Sequence, residues 1–321
     1  MTTFGCLLSC EEFTPEQLIE QAQLAERAGF TRLAVSDHYH PWIDAQGNSP
    51  FVWSVIGALS QVTRLPVMTM VTCPGIRIHP AVTAQAAATA GVMCGGGFTL
   101  GVGTGEALNE HVTGGRWPRF DVRAEMLEEA VEVIRALFTG ENVNHRGRHY
   151  TVENARLYTV PESAPPICMS GLGPKAARLA GRIADGLITM KPQPDLVKEF
   201  RQACPDDKAK RVIGGMKACW DRDRDRAVEI ALERWPSDQL PGEINRILPT
   251  PRHFEQASQL VTAEMVASGI ACGSDAEDHV ARLRKYVDAG FDEIYLNPVG
   301  PGYRGFFDFY GSEVLPEMGS A

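Results

Sequence analysis

ERAGFTRLAVSD (26–37) runs from the end of an amphipathic helix, through Ala-Gly-Phe, into an apolar strand. The same junction recurs near the other end of the sequence as DAGFDEIYLNP (288–298), and AGRIADGLITM (180–190) is a looser third copy. Glycine suits such a junction because it ends a helix in the left-handed conformation at little cost. Repeated helix-to-strand units of one kind favour a closed barrel over two unlike domains.

Strand-like and helix-like patterns alternate along the whole chain, which is typical of a parallel sheet built from βαβ units. The predicted strands number eight and cover residues 4–8, 32–37, 65–73, 98–106, 166–172, 187–190, 211–220 and 292–300. Eight such units predict an α/β fold of the (β/α)8 TIM-barrel type, formed as a single domain over residues 1–321. Two segments interrupt the alternation, a small β excursion at 145–161 and an insertion at 237–262, both expected over or beside the C-terminal face.

Composition excludes several classes of function. Forty acidic and 31 basic residues give a net charge of -9, which argues against a surface for nucleic acid or an anionic membrane. No apolar run reaches the length of a membrane span. The eight cysteines show no metal-binding spacing, so we expect no metal site and predict reduced thiols in a cytoplasmic protein.

SDHYHPW (36–42) follows the second predicted strand, and in a TIM barrel the loops after the strands form the catalytic face. His38 is a candidate general base, because imidazole accepts a proton near neutral pH, and Asp37 or a neighbour could fix its tautomer. Trp42 could exclude water or stack on a ring.

GVGTGEALNE (101–110) follows the fourth predicted strand and lacks the spacing of both the dinucleotide fingerprint and the Walker loop. It places a glycine-flanked carboxylate, Glu106, where it could hydrogen-bond to a heterocycle or protonate it. MSGLGPKAARLAGR (169–182) places glycine N–H groups just before a helix, an arrangement suited to phosphate.

SDHYHPW and GVGTGEALNE together resemble the deazaflavin (F420)-dependent glucose-6-phosphate dehydrogenase family, within the luciferase-like hydride-transfer superfamily. HPAVTAQAAAT (79–89) and CMSGLGPKAARLAGRIADG (168–186) extend this resemblance along the chain. It implies a TIM barrel that is usually a homodimer and binds coenzyme F420 with the ring inside the barrel. It also implies a reaction in which a hydride passes between an alcohol carbon and the deazaflavin.

The resemblance further implies roles for individual residues. His38, Trp42 and Glu106 would be catalytic: His38 near the substrate carbon, Trp42 against the reacting pair and Glu106 at the ring edge. Residues expected to contact the cofactor are Asp37, Met70, Val71, Cys73, Thr104, Gly105, Asn109, Ser170, Gly171, Leu172 and Gly173, the last four around its phosphodiester tail. A cis peptide bond that is not followed by proline is expected near Met70-Val71.

Substrate recognition is the least determined part of the resemblance. A sugar 6-phosphate would need basic side chains, and the candidates are Lys191 after the sixth strand and Arg282 on a late helix. Gln256 stands where a family lysine is expected, which would weaken a charge-assisted contact worth about 1.5–3 kcal/mol.

Other activities remain compatible with these residues. The chain could reduce an imine or enone with reduced F420, or it could be an FMN-dependent monooxygenase on the same barrel. A divalent-metal sugar isomerase could use Asp37, His38, His40 and Glu106 as ligands.

Overall fold

The computed structural model describes residues 2–205 and 210–319, and its centre is a closed parallel barrel. The strands of the described chain are β1 (Thr3–Leu8), β2 (Arg32–Val35), β3 (Val67–Thr69), β4 (Phe98–Val102), β5 (Val143–Arg146), β6 (Thr151–Ala155), β7 (Ile167–Ser170), β8 (Gly186–Ile188), β9 (Arg211–Cys219), β10 (Ala271–Cys272) and β11 (Glu293–Val299). In the barrel the order is β9-β11-β1-β2-β3-β4-β7-β8, and pairing of β8 with β9 closes it. The predicted eight-stranded (β/α)8 barrel is therefore confirmed, and β10 adds a short ninth strand beside β9.

Helices separate the barrel strands and form the outer layer. Their bounds are α1 (Pro15–Arg27), α2 (Val52–Val62), α3 (Pro80–Met93), α4 (Ala107–Glu110), α5 (Phe120–Phe138), α6 (Pro174–Ile183), α7 (Pro194–Ala203), α8 (Arg224–Arg234), α9 (Ile244–Ile247), α10 (Pro251–Ser258), α11 (Ala263–Gly269), α12 (Ala276–Asp288), α13 (Tyr303–Phe309) and α14 (Leu315–Glu317). A π-helical turn at Tyr310–Val314 joins α13 to α14, so the helical segment after β11 runs without a break from Tyr303 to Glu317.

The first helix shows how local sequence sets these boundaries. Thr14 caps α1 and forms a capping box with Gln17, and Pro15 takes the first helical position, as the sequence predicts. Leu18, Ala22 and Ala25 lie at helical spacing and are fully buried against the sheet.

Most strands of the barrel contribute one apolar residue to its packed interior. A buried cluster inside the barrel contains Leu7, Ala34, Met68, Met70, Cys168, Ile188, Ile213 and Tyr295. The alternate residues of the same strands belong to the larger cluster under the helices, as strand alternation requires. At the N-terminal end of the barrel, Arg211 forms an ion pair with Glu293 at 2.8 Å.

Both irregular segments of the sequence have defined structure. The predicted β excursion is an antiparallel hairpin of β5 and β6, and the Glu129 carboxylate of α5 accepts hydrogen bonds from the N–H groups of Arg148, His149 and Tyr150 within it. The predicted insertion contains a 3-10 turn at Pro236–Gln239, followed by α9 and α10. The hairpin begins before residue 145, at Val143.

No helix in the described parts of the chain is long and apolar enough to cross a bilayer.

Candidate active site

The chemically active side chains lie where the barrel strands end at their C-terminal edge. The loop after β2 carries His38 and Trp42, the loop after β3 carries Cys73 and Arg77, and the segment after β4 carries Glu106. Because parallel strands deliver these loops to one face, residues far apart in sequence meet there.

His38 has an acceptor for each of its ring nitrogens. Nδ1 lies 3.2 Å from the carbonyl oxygen of His40 and 3.1 Å from Nδ2 of Asn109, whereas Nε2 lies 3.5 Å from Oε1 of Glu11. Nδ1 therefore lies between an acceptor, the His40 carbonyl, and a donor, the Asn109 amide nitrogen, while Nε2 faces the Glu11 carboxylate. When the ring is protonated on both nitrogens, an oxygen is available to each N–H group, which suits a group that accepts a proton.

Glu11 follows β1 and was missed from sequence, where Asp37 or a neighbour is the expected partner of His38. The Glu11 residue is 3% exposed, and its second oxygen accepts a hydrogen bond of 2.5 Å from the Ser36 hydroxyl. No local motif marks Glu11, because its contact with His38 depends on the adjacent pairing of β1 and β2.

Asp37 is engaged away from His38. Its Oδ2 accepts a 2.5 Å hydrogen bond from the Thr72 hydroxyl, and its Oδ1 accepts a 2.8 Å hydrogen bond from Nη2 of Arg77. Both carboxylate oxygens of Asp37 are thus used by the loop after β3, and Asp37 is 4% exposed. Of the predicted partners of His38, Asp37 or a neighbour, it is a neighbour, His40, that faces Nδ1.

Trp42 stands beside His38 and forms one wall of the site. The two ring centroids are 4.8 Å apart, and Phe254 of α10 contacts the same indole edge to face at 5.1 Å. Gln46 accepts from the Trp42 N–H and holds the turn in place. The wall is apolar because Ile43, Leu108 and Leu248 pack around Phe254.

A second wall, also missed from sequence, carries a buried acid and a cation. Glu12 accepts hydrogen bonds from the indole N–H of Trp235 at 2.6 Å and from the N–H of Gly300 at 2.7 Å. Burial raises the pKa of Glu12 to about 7. Lys217 of β9 lies 4.3 Å over the Trp235 ring and forms a 2.7 Å ion pair with Asp238.

Several predicted cofactor residues meet around Gly103. A Cβ added to Gly103 would lie 2.8 Å from a Val71 methyl group and 3.8 Å from both Cys73 Sγ and Ser170 Cβ. Gly105, with φ +81°, lies against the same Cys73 sulfur. The structure also contains the cis peptide bond expected between Met70 and Val71.

Glu106 and Asn109 lie at the start of the short helix α4 and within it. Glu106 is partly exposed and is the N-cap residue of α4, and Thr104 before it is also partly exposed. Asn109 is 2% exposed, and its Oδ1 accepts from the N–H groups of Tyr39 and His40. Asn109 thus ties the His38 loop to the segment that carries Glu106.

The glycine turn before α6 is formed as predicted, but one of its donors is already used. Gly171 donates its N–H to the Ile188 carbonyl at 2.9 Å, so this group is not available to a phosphate. Gly173 is the N-cap residue of α6, and Leu172 is 46% exposed beside it. Ser170 and Gly173 are partly exposed.

The three predicted substrate residues make no direct contact with His38. Arg282 donates to the carbonyl oxygens of Ala267 and Ser268 and to Asp278, so its guanidinium is used by the end of α11 and by its own helix. Lys191 is exposed, and Gln256 is exposed on α10. The prediction that Arg282 holds a substrate finds no support in these contacts.

Among residues 2–205 and 210–319, no group of three or more His, Cys, Asp or Glu side chains is placed to hold a metal ion.

A closed barrel of parallel strands, with ionisable side chains gathered where the strands end, defines the class of TIM-barrel enzymes. The family described as luciferase-like monooxygenase matches residues 1–293. The F420-dependent glucose-6-phosphate dehydrogenase of Microbacterium testaceum is 37% identical over 98% of this chain and 97% of its own. The chain thus belongs to the luciferase-like family and, within it, to the family of the F420-dependent glucose-6-phosphate dehydrogenases.

Further relatives agree with this assignment. F420-dependent glucose-6-phosphate dehydrogenase 2 of Rhodococcus jostii is 35% identical, with 98% of this chain and 97% of the relative covered. Among solved structures, an F420-dependent secondary alcohol dehydrogenase in complex with an F420-acetone adduct is 31% identical, with a TM-score of 0.91 and 98% of both chains covered.

Proposed function

We propose that this protein is an F420-dependent dehydrogenase that oxidises an alcohol carbon. The observation that carries the proposal is the pair of oxygen partners around His38, the Glu11 carboxylate and the His40 carbonyl, at the open end of the barrel. Relatives and a solved structure of 31% identity are named as F420-dependent dehydrogenases. A base beside a hydride acceptor is what alcohol oxidation requires.

The residues at the barrel mouth fit a flat cofactor ring. Gly103 and Gly105 have no side chains, so the segment after β4 leaves space for a flat ring. At Gly103 even a Cβ atom would lie too close to Val71, at 2.8 Å. Asp37, Val71, Cys73, Thr104, Gly105 and Asn109 would surround the ring, while Ser170, Leu172 and Gly173 would contact the phosphodiester tail. When bound, F420 supplies a carbon that takes up or gives back a hydride.

The protein's own residues accept the proton of the substrate hydroxyl and supply a proton at the edge of the ring. His38 accepts the hydroxyl proton, and the imidazolium so formed is stabilised by Glu11 and by the His40 carbonyl. Trp42 keeps bulk water from this side, because its indole is packed between His38 and Phe254. Glu106 holds or gives a proton at the edge of the ring.

We infer a sugar 6-phosphate, with glucose 6-phosphate first, as the substrate class, because the curated relatives carry that name. A phosphate needs a cation at the mouth of the site. Lys217 offers one on the same wall as Trp235, with Asp238 as its present partner. Lys191, which follows β8, is an exposed cation that could approach the same anion.

The first test measures hydride uptake directly. Purified protein is mixed with oxidised F420 and, separately, glucose 6-phosphate, glucose or 2-propanol, while loss of the cofactor's visible absorbance is followed. We expect bleaching with glucose 6-phosphate at a kcat/KM at least about tenfold above glucose, since a charge-assisted contact contributes roughly that factor.

Bleaching with 2-propanol but not with glucose 6-phosphate would keep the dehydrogenase and discard the sugar phosphate. Absence of F420 binding, together with tight FMN binding and oxygen uptake, would overturn the proposal in favour of a monooxygenase.

We also propose that two copies associate through α2 and α3. Large apolar side chains are exposed along this face: Phe51 by 53%, Val82 by 55%, Val92 by 52% and Met93 by 39%. Phe51, Val82 and Met93 border an apolar groove of about 310 Å³ between the two helices. Contiguous exposed apolar surface of this kind is typical of an interface, and the alanines of α3 would allow a second helix to approach closely.

Charge at the centre of this face should separate the copies. We expect wild-type protein to have twice the chain mass of 35.1 kDa in light scattering after size exclusion, and Val82→Glu to have the mass of one chain. Leu260→Glu is the matched control, because Leu260 is 82% exposed on another part of the surface. A wild-type protein of single-chain mass would contradict the proposed dimer.

We further propose a cytoplasmic location. All eight cysteines are free thiols, and seven are buried. Such thiols persist in a reducing compartment.

A further inference from the structure

A buried guanidinium links the Asp37 carboxylate to a second carboxylate behind the ring site. Arg77 lies in the loop after β3, and only 8% of its side chain is exposed. Its Nη2 donates to Asp37 Oδ1 at 2.8 Å. On the other side, its backbone N–H donates to Glu110 Oε2 at 2.8 Å, and its Nε lies 3.5 Å from Glu110 Oε1.

The contact between Arg77 and Glu110 is incomplete. The Arg77 Nε and the Glu110 Oε1 face each other, yet neither has a hydrogen-bond partner in the described chain, although both atoms are buried. The contact between Arg77 and Asp37, in contrast, is short and is completed by the Thr72 hydroxyl on the other carboxylate oxygen. The Arg77 guanidinium thus contacts two carboxylates unequally, at 2.8 Å to Asp37 and at 3.5 Å to Glu110.

The charge of Glu110 affects how the Arg77 guanidinium is shared between Glu110 and Asp37. Burial raises the pKa of Glu110 to about 7, and the neighbouring carboxylates of Glu106 and Asp37 raise it further, while Arg77 lowers it. Other titratable or charged groups that face this position are the Cys73 thiol, the Tyr150 hydroxyl and the Arg123 guanidinium. The Glu110 carboxyl is therefore neutral below about pH 7 and ionised above it.

We propose that Arg77 is a positioning residue that holds Asp37 at the ring site, and that ionised Glu110 competes with Asp37 for the Arg77 guanidinium. This inference rests on the proposed function, in which Asp37 contacts F420. When Glu110 is neutral, Arg77 serves Asp37 alone, and the three groups have no net charge. When Glu110 is ionised, the three groups carry one net negative charge, and the hold on Asp37 is weaker.

The test measures F420 affinity by fluorescence titration between about pH 6 and pH 8, a range that spans the ionisation of Glu110. We expect wild-type affinity to fall by several fold more than that of Glu110→Gln over this range, because only the wild type gains a charge at this position. The cofactor's own ionisation affects both proteins equally, so the ratio of their Kd values isolates Glu110. A merely structural role would give a ratio that does not change with pH.

Arg77→Lys tests the positioning itself. Lysine keeps the charge but cannot serve two carboxylates in the planar geometry of a guanidinium, so we expect about tenfold weaker F420 binding with an intact fold. Arg211→Lys is the matched control, since Arg211 forms a 2.8 Å ion pair with Glu293 at the opposite end of the barrel. We expect the control to bind F420 like the wild type.

The outcomes separate the inference from the function on which it rests. Wild-type protein that does not bind F420 would overturn the proposed function. Wild-type protein that binds F420, with Arg77→Lys equal to Arg211→Lys or with a Kd ratio that stays constant across the pH range, would overturn the inference alone. Unfolding of each variant is followed by circular dichroism, so that lost affinity is not confused with lost structure.

Discussion

Replacing His38 by alanine lowers kcat for alcohol oxidation by about 10²- to 10⁴-fold, while the Kd for F420 changes by less than about threefold. The size of the loss follows from the removal of the base that takes the hydroxyl proton as the hydride leaves. The cofactor should still bind, because most of the residues proposed to surround the ring lie in the loops after β3 and β4. Stopped-flow bleaching gives kcat, and fluorescence titration gives the Kd.

His40→Ala is the matched control for this experiment. His40 is two residues away, but it contributes its backbone carbonyl to His38, and an alanine at this position keeps that oxygen. Its own ring contacts the Leu108 carbonyl and stacks near His111, away from the partners of His38. Activity of His38→Ala within about tenfold of the wild type would contradict the role of His38 as base.

Glu11→Gln, measured in the same experiment, separates the base from its stabilising partner. Glutamine keeps the shape of the side chain but removes the negative charge 3.5 Å from Nε2. We therefore expect a smaller loss of kcat than for His38→Ala, because the base remains and only the charge that stabilises its protonated form is lost.

The barrel could be predicted from sequence because each strand and helix carries its own signal. Thr14, Pro15 and Gly29 mark the ends of the first helix, and the Ala-Gly-Phe junctions repeat before β2 and β11. These signals are local, so they do not depend on contacts across the fold. Strand ends were predicted less accurately than strand positions. The predicted third strand extends to Cys73, but β3 ends at Thr69, where the chain leaves the sheet.

The site could be predicted only in part, because its partners meet through topology. The motif that contains His38 and Trp42 was recognised, but Glu11 after β1 and Lys217 on β9 lie in stretches without a motif. Arg77 was missed for the same reason. Once a barrel is assumed, a survey of every charged residue that follows a strand would have included Glu11 and Arg77.

Residues on helices are harder to assign a role from sequence. Arg282 lies on α12, where its side chain turns toward the C-terminal carbonyl groups of α11. The position of a residue on a helix does not show whether its side chain is exposed to solvent, contacts a neighbouring helix or lies in the active site. Only the packing of α12 beside α11 shows that this guanidinium is already satisfied.

Gly101→Ala should destabilise the barrel severely, by more than about 3 kcal/mol or to the point of insolubility. A Cβ at Gly101 would lie 1.9 Å from the main-chain oxygen of Thr69 on the neighbouring strand and 3.2 Å from Ile188. The Thr69 hydroxyl already bridges the N–H and the carbonyl of Gly101, at 3.0 Å and 2.9 Å. Since the clash is with main chain, the two strands themselves would have to separate.

Gly173→Ala is the control for this substitution. An added Cβ at Gly173 meets no atom within 4 Å, and its φ of -152° is extended backbone that alanine adopts. We expect its free energy of unfolding in urea to stay within about 0.5 kcal/mol of the wild type. Thr69→Ala should not rescue Gly101→Ala, because it leaves the clashing carbonyl in place. A soluble Gly101→Ala protein that unfolds at the wild-type urea concentration would show that β3 and β4 can separate at this point without loss of stability.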